Sequence, residues 1–264
     1  MAGLGFRREM TDWDMSAVQA DFFEVVAENW VRRDRTPLYQ FIESGRPVYL
    51  HGVSLNLGGF APLNQDFLRE IKALIADLNC PHYSDHLAAS GDAHQLYDLF
   101  PVPFTLPEAR RIAERIRCAQ DILGQRMAIE NSTWYANTGD MPELEFINTV
   151  LDLADCDMVL DLNNIDVNYK NHGGYGLSQF VAGLDMRRVR YMHVAGHEWD
   201  ERFELFIDTH SQSVPPDTVA MAQRLHQQQG LPILLEWDND IPTLEIINRE
   251  LECLKRTPMR FTTM

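Results

Sequence analysis

Along the chain, short apolar runs alternate with longer stretches in which apolar residues recur every three or four positions. The runs are Leu4–Phe6, Phe22–Val26, Val48–Leu50, Tyr83–Leu87, Met127–Ile129, Met158–Leu162, Val189–Val194, Glu204–Ile207 and Ile233–Leu235. Between them, Leu63–Leu78 places Phe67, Leu68, Ile71, Leu74, Ile75 and Leu78 at helical spacing. Pro107–Leu123 opens behind Thr105 with a proline near its first turn, where proline suits a helix start. Pro142–Ala154 and Pro216–Gln229 read the same way. Strands alternating with helices predict βαβ units and a parallel sheet.

These nine runs are one more than a closed eight-stranded barrel uses. The gap from Val194 to Glu204 is too short for a parallel crossover, which takes about a dozen residues or more. Glu204–His210 is therefore expected as an extended or hairpin segment on the loop after the seventh barrel strand. The predicted fold is a single TIM (β/α)8 barrel domain over residues 1–264, with a doubly wound open sheet as the alternative. A chain of 264 residues that is 45% hydrophobic can bury one core of that size. No linker-like Pro/Gly/Ser stretch, repeat or low-complexity segment divides it.

Charged residues make up 23% of the chain, which argues against disorder. The net charge of −16 would repel a phosphate backbone, so nucleic acid is not an expected partner. No stretch approaches the roughly 18–20 apolar residues of a membrane span, and MAGLGFRREM lacks the apolar run of a secretory signal. Cys80, Cys118, Cys156 and Cys253 are far apart, which disfavours a disulfide framework or thiolate zinc site and suits a reducing cytoplasm.

Candidate chemistry gathers where the predicted strands end. His51, His86, Glu130, Asp161 with Asn163 and Asn164, His193 with His197, Asp208 with His210, and Glu236 with Asp238 each close or follow an apolar run. Barrel enzymes build their active sites at that end of the strands. A single histidine there is usually a hydrogen-bonded structural residue, and a single carboxylate a helix cap or ion-pair partner. Seven successive strand ends of this kind call for a common cause. Acidic groups converging on one barrel mouth need a cation to offset their repulsion and desolvation. Imidazoles mixed with carboxylates, without nearby cysteine, suit iron, manganese or zinc. Four histidines (His51, His86, His193, His210) and four carboxylates (Glu130, Asp161, Asp208, Glu236) exceed the needs of one ion. Two or three ions are expected, with Glu130 or Glu236 as a bridge.

Other features are assigned ordinary roles. Asp85 is expected on the opposite strand face from His86 and structural. His82, His94 and His226 are read as surface or helix histidines, and Trp134, Tyr135 and Trp237 as packing or pocket residues. His172, before Gly173-Gly174, is expected on a flexible loop over the mouth. HGVSLNLGG lacks dinucleotide-binding spacing.

The ordered motifs HGVSLNLGG, SDHLA, IENSTWY, LDLNNIDVN with NHG, HVAGH, DTHSQSVP and LLEWDND, behind the opening GLGFRRE and FFEVVAEN, resemble the multinuclear non-heme iron-dependent oxidative enzymes over almost the whole chain. The resemblance implies a xylose-isomerase-like barrel with two or three irons (Fe2+/Fe3+) at its mouth and dioxygen as co-substrate. It implies a peptide-modifying oxidoreductase acting on a cysteine, here C-terminal, of a ribosomally synthesised precursor peptide. Family outcomes include oxazolone with thioamide, cysteine β-carbon excision on the way to thiaglutamate, and thiooxazole formation. The chain length and the GLGFRREM opening point to the thiaglutamate branch. A small partner protein with a peptide-recognition domain is implied as well. By motif, the implied metal ligands are His51, His86, Glu130, Asp161, His193, Asp208, His210 and Glu236, with His51, His86, Glu130, His193 and Glu236 at the catalytic centre. Asn163 or Asn164 is a further candidate ligand. The alternative is a redox-neutral metal-dependent isomerase or endonuclease on the same barrel, the acidic surface speaking against a nuclease. A non-enzymatic metal store is a third reading.

Overall fold

The computed structural model describes residues 1–91, 95–136 and 139–256. Eight parallel strands hydrogen-bond in chain order and close on themselves: β1 (Ala2–Gly5), β2 (Phe23–Val26), β3 (Val48–Gly52), β4 (Tyr83–His86), β5 (Ala128–Glu130), β6 (Asp157–Asp161), β7 (Val189–Val194) and β8 (Ile233–Leu235). The barrel reading is borne out and the open sheet is not. The ninth run is a hairpin, as expected: Leu205–Ile207 pairs antiparallel with Glu198–Asp200 on the loop after β7. A second hairpin, Ala89–Gly91 with Gln95–Phe100, stands on the loop after β4 and was not foreseen. His94, read as an ordinary histidine, lies outside the described residues.

Outside the barrel lie α1 (Thr36–Glu43), α2 (Gln65–Leu78), α3 (Leu106–Leu123), α4 (Glu143–Ala154), α5 (Leu162–His172), α6 (Leu177–Ala182), α7 (Pro216–Gln229) and α8 (Leu244–Lys255). The amphipathic patterns locate α2, α3, α4 and α7 to within two residues. In α3, Thr105 caps by accepting from the Glu108 amide, Pro107 sits in the first turn, and Gly124 ends the helix at φ 77°. Between β1 and β2 the chain forms only a 3₁₀ turn at Arg8–Met10, so the first crossover has no α-helix among the described residues. None of these helices is long and apolar enough to cross a membrane.

Helix α5 has no counterpart in the sequence reading, for a physical reason. LNNIDVNYKNH holds four asparagines, weak helix formers, and buries residues on several sides, so no apolar stripe appears. It starts at the mouth, directly on Asp161. His172 is therefore not on a free loop. It is the last residue of α5, its ring stacked on Trp134 at 3.9 Å and Nε2 2.8 Å from the Trp134 carbonyl, with Gly173 turning the chain at φ 73°.

The barrel interior is layered. Phe22, Tyr49, Ala128, Val159, Tyr191 and Leu234 fill its floor, apart from the main core between strands and helices. Gly3 belongs to that floor: an added Cβ would stand 2.5 Å from the Phe22 ring, which stacks on Tyr49 at 4.4 Å. One step higher, the inward positions turn polar. Asp85 faces outward, as expected, and accepts from the Leu55 and His86 amides and from Tyr83 Oη, tying down the loop after β3.

Two predictions follow from this packing. Gly3→Ala forces Phe22 against Tyr49 and should cost about 1–3 kcal/mol. Urea unfolding checks this, and a loss below about 0.5 kcal/mol, within the range of a neutral surface change, would contradict it. The second concerns Glu143, at the start of α4, which accepts from Asn168 Nδ2 of α5 at 3.1 Å. Burial pushes its carboxyl from 4.5 up to about 7. The folded protein thus binds the extra proton between these values, and stability falls as pH rises through them. Glu143→Gln should raise Tm relative to wild type at pH 8 and much less at pH 5. An equal difference at both pH values would rule out this origin.

Candidate metal centre

Alternate residues of a strand share a face. Above the floor residues Phe22, Tyr49, Ala128, Val159, Tyr191 and Leu234, the same face therefore carries Glu24, His51, Glu130, Asp161, His193 and Glu236. All six are at most 5% exposed. His86, at the end of β4, joins them from its own inward position.

Among the described residues, possible ligand atoms fall into three groups, each with all its atoms within 4.8 Å of one another. The first is His51, His86 and Glu130. Glu130 Oε2 lies 3.1 Å from His51 Nε2 and 3.6 Å from His86 Nε2. The second is Glu130, Asp161, His193 and Glu236. His193 Nδ1 lies 3.1 Å from Glu236 Oε2, 3.4 Å from Glu130 Oε1 and 4.0 Å from Asp161 Oδ2. The third is His210, Glu236 and Asp238. Glu130 belongs to the first two groups and Glu236 to the last two.

Among the buried atoms without a hydrogen-bond partner are Glu130 Oε2, Asp161 Oδ2, His193 Nδ1 and His210 Nε2. Buried polar atoms normally find partners, because leaving one bare costs a few kcal/mol. The first three lie within the first two groups, His210 Nε2 faces Asp208 Oδ1, and the charges conflict. Burial works against charge on His193, yet Glu236, Glu24 and Glu130 hold its imidazole well above the ordinary value. Burial, then the charges of Glu130, Asp208 and Glu236, push the Asp161 carboxyl well above the carboxylate range. Glu236 is pulled the other way despite burial, chiefly by His193 and His210. A cation among such donors would satisfy the bare atoms and reduce the repulsion. Imidazole nitrogen with carboxylate oxygen fits a divalent first-row metal, and no cysteine belongs to the groups.

The other ring nitrogen of each histidine is held from behind. His51 Nδ1 lies 2.8 Å from Ser84 Oγ, His86 Nδ1 3.1 Å from the Gly52 carbonyl, His193 Nε2 3.0 Å from Glu24, and His210 Nδ1 2.8 Å from Asp238. Such contacts fix the nitrogen a ligand histidine presents. Asp161 divides its oxygens: Oδ1 caps α5 by accepting from the Asn164 amide at 2.6 Å, leaving Oδ2 for the second group. Capping and ligation are thus compatible in one side chain.

Asp208 and His210 follow the hairpin on the loop after β7, and His210 sits at φ 48°, a strained value for a non-glycine residue. Asp208 stands outside the three groups. Its Oδ1 lies 2.8 Å from His210 Nε2 without a hydrogen bond between them, while Asn163 Nδ2 donates to it at 2.5 Å. The amide oxygens of Asn163 and Asn164 lie 2.7 Å from His197 Nδ1 and 2.5 Å from Thr133 Oγ1, respectively, and neither residue falls within the three groups. His172 is not brought to the groups.

Sequence reasoning did not select Arg7, Glu24, Ser84 or Tyr191, and it noted Asp238 beside Glu236 without counting it among the ligands. Arg7 reaches Glu236 Oε1 at 3.2 Å and hydrogen-bonds Asp238 through Nε. Its guanidinium lies on Gly5, where an added Cβ would be 2.7 Å from Nη1. Extending the period of two from His51, Glu130 and His193 to the run Phe22–Val26 would have found Glu24. Arg7 and Asp238 lie beyond strand ends, where that period no longer guides. The groups open into a cavity of about 620 Å³, walled by Val26, Val53, Leu99 and Tyr135 and edged by Ser132, Thr133 and Asn239.

Comparison with known proteins accords with this geometry. A UPF0276 protein of Acinetobacter baylyi is 40% identical over 259 residues, spanning 96% of this chain and 89% of its own. Among solved structures, the 3-keto-D-glucoside 4-epimerase YcjR of E. coli superposes with a TM-score of 0.67 at 13% identity, covering 96% of this chain and 98% of its own. A xylose isomerase domain-containing protein of Salmonella typhimurium gives 0.59 at 12% identity, over 88% and 85%. At such identities the likeness shows the fold alone, and it bears out the xylose-isomerase-like barrel. The family described as RiPP precursor modification enzyme MbnB/TglH/ChrH matches residues 1–258. The chain, with candidate metal-binding groups at its mouth, belongs to that family of enzymes, which modify ribosomally synthesised precursor peptides.

Proposed function

We propose that the protein is an iron-dependent oxidative enzyme that uses dioxygen to modify a cysteine, at the C-terminus of a precursor peptide, and that β-carbon excision toward thiaglutamate is its outcome. The observation that carries this reading is the sharing of Glu130 and Glu236 among three ligand groups in one cavity. Glu130 links the His51–His86 group to the Asp161–His193 group, and Glu236 links the latter to His210. Asp208, beside the free Nε2 of His210, completes the third position in this reading, with Asp238 held back by Arg7. Iron at these residues would supply coordination positions for a thiolate and for dioxygen, and the electrons that reduce the latter.

The chain's own residues have definable tasks. Val26, Val53 and Leu99 make part of the wall apolar and limit water around the reacting carbon. Ser132, Thr133 and Asn239 offer polar edges to a peptide backbone. Arg7 offsets the charges of Glu236 and Asp238, which would otherwise repel a thiolate. Trp199 and Phe203, exposed on the hairpin after β7, add apolar surface outside the mouth. A small partner protein with a peptide-recognition domain supplies the remaining grip in this reading.

Two outcomes test this reading. Glu130→Ala should lose iron from two groups at once, whereas Asp161→Ala affects one. Elemental analysis after anaerobic loading, beside far-UV circular dichroism to confirm the barrel, makes the comparison; equal iron in Glu130→Ala and wild type would take Glu130 out of the site. For activity, a peptide ending in cysteine should be modified only with iron and oxygen, faster with the partner present. Mass spectrometry would count against the proposal if a Cys-to-Ser peptide reacted equally well, or if turnover continued without oxygen.

A further inference from the structure

Beneath the ligand groups, a buried chain of hydrogen bonds joins His193 to His51. Glu24 Oε2 accepts from His193 Nε2 at 3.0 Å and from Tyr191 Oη at 2.6 Å. Tyr191 Oη stands 2.9 Å from Ser84 Oγ, which stands 2.8 Å from His51 Nδ1. Glu24, Ser84 and Tyr191 are at most 1% exposed. The chain passes under the boundary between two groups, since His51 belongs to the first and His193 to the second.

We propose that Glu24 is a positioning residue that, through Tyr191 and Ser84, sets the tautomers of both His193 and His51 and so turns one lone pair of each toward bound metal. This rests on the metal-centre reading above. A carboxylate accepts hydrogen bonds and does not donate them. His193 must therefore carry a proton on Nε2, leaving Nδ1 to face Glu130, Asp161 and Glu236. Tyr191 commits its one hydroxyl proton to Glu24, so toward Ser84 it can only accept. Ser84 then donates its one proton to Tyr191 and can only accept from His51. His51 carries its proton on Nδ1 in consequence, and Nε2 is left facing His86 and Glu130. One carboxylate thus orders the direction of the whole chain.

The dependence is selective. The Gly52 carbonyl sets His86, and Asp238 sets His210, neither through Glu24. Cutting the chain at different points should therefore give different results. Glu24→Leu keeps a similar volume but removes the oxygen that accepts from both His193 and Tyr191, and the proton order is lost at both ends. Tyr191→Phe and Ser84→Ala disconnect His51 while leaving the Glu24–His193 contact in place.

The experiment is anaerobic Fe(II) titration of the wild-type chain and the three variants, with Tm measured on each. Loss of a supporting contact of this kind weakens metal binding by about 10- to 100-fold. Glu24→Leu should show that weakening at two positions, and Tyr191→Phe and Ser84→Ala at one. Glu24→Leu weakened at one position or none, or Ser84→Ala weakened at two, overturns the proposal. Histidine 15N shifts of the zinc-loaded wild type give a check that needs no variant: metal on Nδ1 of His193 and Nε2 of His51 is expected, and metal on Nδ1 of His51 overturns it. Wild-type protein that takes up neither metal would remove the metal-centre reading itself, whereas wild type that binds Fe(II) beside an equally tight Glu24→Leu removes only the role of Glu24.

Discussion

Glu130 and Glu236 each stand between two sets of ligand atoms inside a closed barrel, and the arrangement around them follows from that crowding. Six inward side chains of the same layer are ionisable, and parallel strands hold neighbours too close for water to separate them. In a medium of low polarity, such groups are stable together only where opposite charges and hydrogen bonds balance. Shared carboxylates do this with few groups, because each of the two oxygens can serve a different neighbour. The bare atoms that remain, on Glu130, Asp161, His193 and His210, mark where protein groups alone leave the balance incomplete.

Support for this layer comes from three directions. From below, the Glu24–Tyr191–Ser84 chain rests on the aromatic floor of Phe22 and Tyr49. From the side, Asp161 anchors α5, whose Asn163 and Asn164 reach back to Asp208 and to the loop after β5. From the first strand, Arg7 lies over Gly5 and holds Glu236 and Asp238. On His51, His193, Asp161 and Glu236 the support ends on one atom and leaves another of the same side chain facing the groups. The aromatic floor gives the layer rigidity, since large rings packed in a barrel have little room to move.

The mouth is shaped by additions to the barrel rather than by the barrel. The hairpin after β7 carries Asp208 and His210 in from the rim, and the left-handed backbone at His210 aims its ring back toward Glu236. Helix α5 closes another side and fixes Trp134 and His172 against each other. The result is a bounded cavity with an acidic and imidazole-rich base, an apolar wall and exposed aromatics on the hairpin beyond it.

Much of this was legible in the sequence. Alternating apolar runs and amphipathic helices determine a barrel, because a strand buried on both faces and a helix buried on one leave different periodic marks. The short interval from Val194 to Glu204 determined the hairpin, since chain length sets what a crossover can span. Polar residues at strand ends located the mouth, and the order of the motifs identified the family. The tertiary structure alone decided which groups meet. Glu24 lies in a run that reads as apolar core, and only closure of β2 against β1 and β3 carries it beneath His193. Arg7 and Asp238 are 231 residues apart and meet because β1 pairs with β8. Asp238 rather than Asp208 falls within one group with His210 and Glu236, since the hairpin and a left-handed turn, neither written in a local period, aim that ring. Helix α5 stayed hidden because its buried positions include Asn163, Asn164 and Asn168, so no apolar stripe marks it. Periodicity reports the environment of one element, whereas a site assembled from seven strands depends on distances that exist only once the barrel has closed.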